Sequence, residues 1–220
     1  MAPREVLTAA IAIYKDSVPR SIVAEAAGGV EVARRVAAGE PVDVVVLSSD
    51  AIDKLIEGGQ LLAASRIDLM NSQIAVAVPT GASHPSIADE AALKAAVSAA
   101  SSVSYSTGPS GRYLETLFDR WGILDSLRAR IVVPPPGVPV GRLLASAEVK
   151  LGFQQLSELL GVPGIDVLGP LPSKIQLVTT FTGALTPACR SPRAAGDLLS
   201  FLASARLDAL KQRHGMTGAH

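Results

Sequence analysis

The chain is poor in side chains that bring their own chemistry. Its single cysteine, Cys189, excludes an internal disulfide, and three scattered histidines (His84, His214, His220) add no zinc-binding pattern to it. Set between LTPA and Arg190, Cys189 fits a packed small hydrophobe as well as a nucleophile. Aromatic residues are 4% with one tryptophan, which argues against a stacking surface for single-stranded nucleic acid. Twenty Lys and Arg balance 20 Asp and Glu, so no net charge draws the chain to nucleic acid or to an anionic membrane, and attraction for a charged ligand must be local. No apolar run approaches the roughly 18 residues of a membrane span, so direct membrane insertion is not expected. There is no Ser–His–Asp order, metal cluster or phosphate-loop motif, and no cofactor is expected. The opening MAPRE leads into an apolar run over 6–14 that Lys15 and Asp16 interrupt, without a small-residue cleavage site. As written, the chain reads as cytoplasmic. A chain whose export signal had been removed would look the same and would be periplasmic.

What is present is a well-buried globular pattern, 48% hydrophobic and only 18% charged. Apolar runs alternate with helix-like stretches, as in parallel βα units. Strands are expected at 6–13, at 41–47 as a buried parallel strand, and at 73–78, 103–105, 130–133, 149–153, 166–168 and 175–181. Helices are expected at 17–27 with Pro19 near the start, at 30–39, and at 51–57 capped by Ser49 and Asp50. Others fall at 89–100, 112–121, 140–146, 156–160 and across 192–212. The prolines at 134–136 followed by Gly137 allow only extended backbone. The strands at 73–78 and 175–181 bracket a middle section with its own strands and helices. This permits lobe 1 from residues 1–78 with 176–220 and an inserted lobe 2 from 79–175, with a ligand in the cleft between them.

Residues 105–115, YSTGPSGRYLE, place a Gly/Pro/Ser turn between a short strand and a helix. Such a turn aims the first free N–H groups of the helix at something negative, although an ordinary turn with Ser110 as N-cap has the same composition. The free donors would be the N–H groups of Ser110, Gly111 and Arg112. Glycine at 108 and 111 would allow close approach, and the Ser110 hydroxyl would add a bond. Arg112 can pair bidentately with a carboxylate or reach solvent. Tyr113 can offer its hydroxyl or simply pack. Gln154 and Gln155, at the end of a short strand, either present an amide to a ligand or lie on the surface.

Four segments together resemble the type II periplasmic solute-binding proteins, and among them the molybdate-binding branch of ABC transporter receptors. They are RVAAGEPVDVVVL (35–47), IAVAVP (74–79), YSTGPSGRY (105–113) and GFQQLSE (152–158), and the resemblance covers about residues 28–216. It implies an α/β, two-lobed periplasmic-binding-protein type II fold with two crossing strands and a ligand cleft between lobes. It also implies a small anionic ligand and, as partner, an ABC transporter membrane component. Carried onto this sequence, the ligand loops fall at Thr8 and Ala9 after a first strand, at Gly28 and Gly29, at Gly108, Ser110, Gly111, Arg112 and Tyr113, and at the turn containing Val138.

This sequence departs from that pattern in ways that bear on the ligand. Only 27 residues precede Gly28, fewer than the strand, helix and strand of the family, and Thr8-Ala9-Ala10 and Gly28-Gly29-Val30 replace serine-rich loops. Gln154 and Gln155 stand where molybdate receptors tend to place a tyrosine. Amides, an arginine and apolar neighbours suit an organic carboxylate better than a bare oxyanion. The same cleft also suits a cytosolic isomerase or tautomerase of an unsaturated carboxylic acid, since closure over the acid excludes water and places donors at an enolate. The acid–base candidates for that chemistry are Tyr14, Lys15, Tyr105, Tyr113, Lys150 and Glu158, and the sequence selects none of them.

Overall fold

The computed structural model describes residues 2–18, 21–135 and 137–220. In chain order the elements are α1 (Arg4–Ser17), α2 (Gly29–Ala37), β1 (Val44–Ser48), α3 (Ser49–Glu57), β2 (Ile67–Pro79), α4 (Glu90–Ala99), β3 (Val103–Tyr105), α5 (Pro109–Arg120), α6 (Leu124–Leu127), α7 (Val140–Ala145), β4 (Leu151–Gln155), α8 (Leu156–Leu159), β5 (Ile165–Pro170), β6 (Val178–Leu185), α9 (Pro192–Ala203), α10 (Asp208–Arg213) and β7 (Met216–Gly218). This is a mixed α/β fold. It divides into two compact units, one of residues up to 72 with 179–220 and one of residues 73–178.

In the first unit the sheet order is β1-β6-β2, with β7 pairing β2 at Met70 to Ser72. The strand expected at 6–13 is instead the interior of α1. Its apolar run holds three helix-forming alanines, and the residues it buries, Val6, Ala10 and Tyr14, recur every four positions along one helix face. Tyr14 ends that row with its ring centroid 5.0 Å from that of Phe201 on α9. The helix expected at 17–27 does not form. Residues 21–28 have no regular structure, and Pro19 lies outside the described residues. The run at 41–47 yields β1, which pairs β6 antiparallel in register Val44↔Leu185 to Ser48↔Phe181 rather than lying in a parallel sheet. A continuous β-branched run reports burial on both faces and leaves strand direction open. Ser49 and Asp50 lie inside α3, whose N-cap Ser48 makes no side-chain cap bond.

In the second unit β2 lies between β5 and β4, antiparallel to both, and β3 pairs β4 in parallel. Leu93, Val103, Leu114, Phe118, Leu151 and Phe153 fill one face of this sheet. Ala75, Ala77, Val140, Leu144 and Val149 fill the other. Phe118 centres an aromatic cluster 5.9 Å from Phe153 and 6.1 Å from Tyr105, both edge-on. Asp89 caps α4 by accepting from the Ala92 N–H at 2.8 Å. The strand expected at 130–133 is reduced to a single bridge between Ile131 and Val103. Pro134 and Pro135 follow at once and have no N–H to continue a ladder, and Pro136 lies outside the described residues. The strand expected at 73–78 is the second half of β2, which runs unbroken for 13 residues from Ile67, and β7 is a further short strand beyond the expected ones.

Candidate functional site

The densest set of expected ligand residues lies in the second unit, where β3 turns into α5. The helix starts earlier than its hydrophobic pattern shows, with Gly108 as N-cap and Pro109 at the first position. Ser110 is therefore inside the first turn, 6% exposed, with its Oγ 3.3 Å from that of Ser106. The turn has fewer free donors than its sequence offers. Pro109 has no N–H, and the N–H groups of Gly111 and Arg112 both donate to the Gly108 carbonyl, at 3.1 and 3.2 Å. The Ser110 N–H and one hydroxyl hydrogen remain for a ligand, the other hydroxyl hydrogen being spent between Ser106 and Ser110.

Gly111 is required here for a reason internal to the chain. A Cβ at that position would stand 1.7 Å from the Ser106 carbonyl oxygen, so the close approach is between the helix and its own preceding turn. Gly108 has no such constraint, with φ at −78° and 3.8 Å from its would-be Cβ to Ser106 Oγ. Arg112 is exposed. Tyr113 is committed to structure, donating its hydroxyl to the Ile175 carbonyl at 2.7 Å. Tyr105 donates to Glu115 Oε1 at 3.0 Å, and burial followed by that carboxylate pushes its phenol up, away from any role as a ready base.

Gln154 and Gln155 are both buried, which rules out a pair of surface glutamines. Alternation along β4 sends them to opposite faces. Gln154 accepts from the Gly141 N–H at 3.4 Å in the first turn of α7 and also hydrogen-bonds the Glu158 carboxyl. Burial raises the Glu158 carboxyl above the ordinary range, and the Gln154 bond partly opposes it. Gln155 follows Phe153, the partner of Tyr105, by two residues in a parallel pair. It therefore stands level with the turn that starts α5 and on the Phe153 side of the sheet. Val138 belongs to a turn closed by its own N–H to the Pro135 carbonyl at 3.0 Å, ahead of the six-residue α7.

In the first unit, Thr8 and Ala9 are not on a loop. They are mid-helix in α1, where backbone N–H groups are already bonded within the helix. Gly28 is the N-cap of α2 and Gly29 its first residue, and a Cβ on Gly28 would meet nothing within 4 Å. The Val32 N–H closes onto the Gly28 carbonyl at 2.9 Å, leaving the N–H groups of residues 29–31 at the helix start. Two further residues enter through the structure, Ser106, which carries no sequence signal of its own, and Glu158, one of the acid–base candidates. Ser106 lies in the same turn as Ser110, four residues earlier, and Glu158 follows the glutamine pair by three.

The fold is that of a protein of the periplasmic-binding type. The chain belongs to the bacterial extracellular solute-binding protein family, which it matches over residues 1–217. Among solved structures it is similar to the periplasmic molybdate-binding protein of Azotobacter vinelandii, with a TM-score of 0.81 and 18% identity, covering 100% of this chain and 96% of that one. The substrate-binding domain of a molybdenum ABC transporter from Clostridium difficile gives 0.79 and 15%, with the same coverage. These place it in the fold of the molybdate-binding-like branch. A protein named aconitate isomerase from a Pseudomonas species is 44% identical over 173 residues, which are 77% of this chain. That match spans 65% of the relative's length. Among the described residues, no helix is long and apolar enough to cross a membrane and no cluster of His, Cys, Asp and Glu is placed to hold a metal ion.

Proposed function

We propose that this protein binds a small organic polycarboxylate as a solute-binding protein. The observation that carries the reading is the start of α5, where the buried Ser110 presents its N–H and hydroxyl beside the Ser106 hydroxyl. One hydroxyl donates to the other, so two donors face a ligand, the Ser110 N–H and the remaining hydroxyl hydrogen, and both suit a carboxylate oxygen. The glutamine level with this turn adds an amide, which suits a ligand bearing hydroxyl or further carboxylate groups. The 44% relative favours a carboxylate over molybdate, because the molybdate-binding structures at 15–18% identity share only the fold. The family name supports export and delivery to an ABC transporter membrane component as the setting. Thermal unfolding against cis- and trans-aconitate, citrate, molybdate and sulfate tests this directly. At about 100 times the dissociation constant a ligand stabilises by roughly 2.7 kcal/mol, a shift of several degrees. A shift with molybdate alone would overturn the carboxylate reading.

A second reading, isomerisation of an unsaturated tricarboxylate, is favoured by the name of that same relative. It requires a proton to leave one carbon of the allylic system and return to another. Glu158 is the group best suited to hold that proton, since burial keeps its carboxyl easier to protonate than an ordinary one. Proton NMR of aconitate with the protein separates the two readings: a receptor returns the isomer it was given, and an isomerase brings both isomers to their equilibrium ratio.

A further inference from the structure

On the carboxylate reading of the site, on which this inference rests, we propose that Gln176 is a positioning residue that holds the Gln155 amide in place against the start of α5. Gln176 lies between β5 and β6, directly after a single turn of 3-10 helix at Ser173–Ile175. Its side-chain amide takes the place of a strand residue beside β2. Oε1 accepts from the Ile74 N–H at 2.9 Å, and Nε2 donates to the Ile74 carbonyl at 3.0 Å and to the Leu171 carbonyl at 3.3 Å. The Leu171 N–H adds a bond to the same Ile74 carbonyl at 3.0 Å. A glutamine amide supplies the acceptor and the donors of this rung in one plane.

Because Ile74 spends its N–H and carbonyl on Gln176 and Leu171, both groups point away from β4. Its register partner on β4 is Gln155, so the two form a non-bonded antiparallel pair, the kind that brings side chains closest. Directly opposite Cβ atoms in such a pair are about 4.5–5.5 Å apart, and the buried Ile74 therefore lies against Gln155 on the Phe153 side of the sheet. The same short segment reaches the other half of the site. Tyr113, three residues after Ser110 on α5, donates to the carbonyl of Ile175, the residue before Gln176, at 2.7 Å. Ile175 itself is buried in the core that Ile74 and Phe153 share. Residues 175 and 176 thus tie the start of α5 to the end of β4, one through Tyr113 and the other through Ile74. Loss of the Gln176 amide would leave the Ile74 N–H unbonded and free β2 to shift beside Gln155, and hydrogen bonds to a ligand weaken steeply with such misplacement.

Amide NMR of the intact chain reads these positions without a ligand. Gln176→Met keeps the length of the side chain and removes both hydrogen-bonding functions. It should displace the Gln155 side-chain amide signals and the Ser110 N–H signal, and displace both more than the side-chain signals of Gln154 on the opposite face. Tyr113→Phe, which deletes one oxygen, should displace the same signals and carries the test if Trp121 fluorescence shows that Gln176→Met does not fold. Gln155 signals that move no more than those of Gln154 in the folded variants overturn the proposal. Calorimetry with citrate and trans-aconitate reads the consequence for binding. Gln176→Met should raise the dissociation constant about tenfold, the worth of one hydrogen bond. In a Gln155→Ala background the same change should cost less than twofold, because its effect passes through Gln155. An undiminished tenfold loss in that background also overturns the proposal. If the unaltered chain binds neither acid while the Gln155 signals move as expected, the carboxylate reading fails and the positioning of Gln155 by Gln176 is upheld.

Discussion

Replacing Gly111 by alanine should unfold the second unit far more readily than the same change at Gly108, three residues away. The alanine Cβ would stand 1.7 Å from the Ser106 carbonyl oxygen and 2.9 Å from its carbon, and both are backbone atoms that no rotamer change can remove. Ordinary contact requires a displacement of about 1.5 Å, and the turn is fixed at both ends. Tyr105 is locked in the β3–β4 pairing, and Leu114 is buried in the core. Overpacking of this kind costs about 1–3 kcal/mol, and loosening the two bonds to the Gly108 carbonyl adds about 1 more, for a loss near 3 kcal/mol. Gly108→Ala has an ordinary φ and room for its methyl, so it should stay within about 0.5 kcal/mol of the unaltered chain. Trp121, the only tryptophan, is 9% exposed in the core of the same unit, so its fluorescence in urea reports on that unit. With a slope of about 1–3 kcal/mol per molar urea, the midpoint for Gly111→Ala should fall by roughly 1–3 M. Equal midpoints for the two variants would refute the reasoning.

Ser110→Ala should raise the dissociation constant of a bound carboxylate about tenfold, a loss near 1.4 kcal/mol, and a change under twofold by calorimetry would remove the turn from the ligand site. Glu158 has a folded-state pKa above its unfolded one, so the folded chain holds more of its proton in that window and stability falls as pH rises through it. Glu158→Gln should remove this decline, and urea midpoints between about pH 4 and pH 7 that keep the original slope would contradict the assignment. Lys211 has a fully buried side chain, with Nζ 3.4 Å from the Ala203 carbonyl and 3.8 Å from Asp208, and burial lowers its pKa. Lys211→Met should leave stability unchanged or raise it by about 1 kcal/mol, because it removes a buried cation while Asp208 keeps His220 at 3.1 Å. A clear loss in thermal unfolding would show that the ion pair outweighs its desolvation.

The elements legible in the sequence were those with a periodic pattern and a terminator. Val103 to Tyr105 and the helix ended by Gly39 needed no tertiary information, and the helix expected at 89–100 forms as α4 with Asp89 as its N-cap. The errors have particular causes. A short run of Ala, Ile, Val and Leu fits a strand as well as a helix, and at 6–13 burial at every fourth residue decides for α1. Direction is absent from a run such as VDVVVL, and only the partner β6 made β1 antiparallel. At the candidate site, the Gly/Pro/Ser composition announced a turn into a helix. Which N–H groups stayed free depended on how Gly108 capped that helix, and no residue type encodes this.

The sequence by itself determined the class of the fold and its family, because apolar periodicity, turn residues and four ordered segments are local properties. Tertiary structure decided what local pattern cannot contain. It set strand direction, spent Tyr113 on the Ile175 carbonyl and buried both glutamines. Each depends on residues far apart in the chain meeting at hydrogen-bond distance, and those meetings are made by packing.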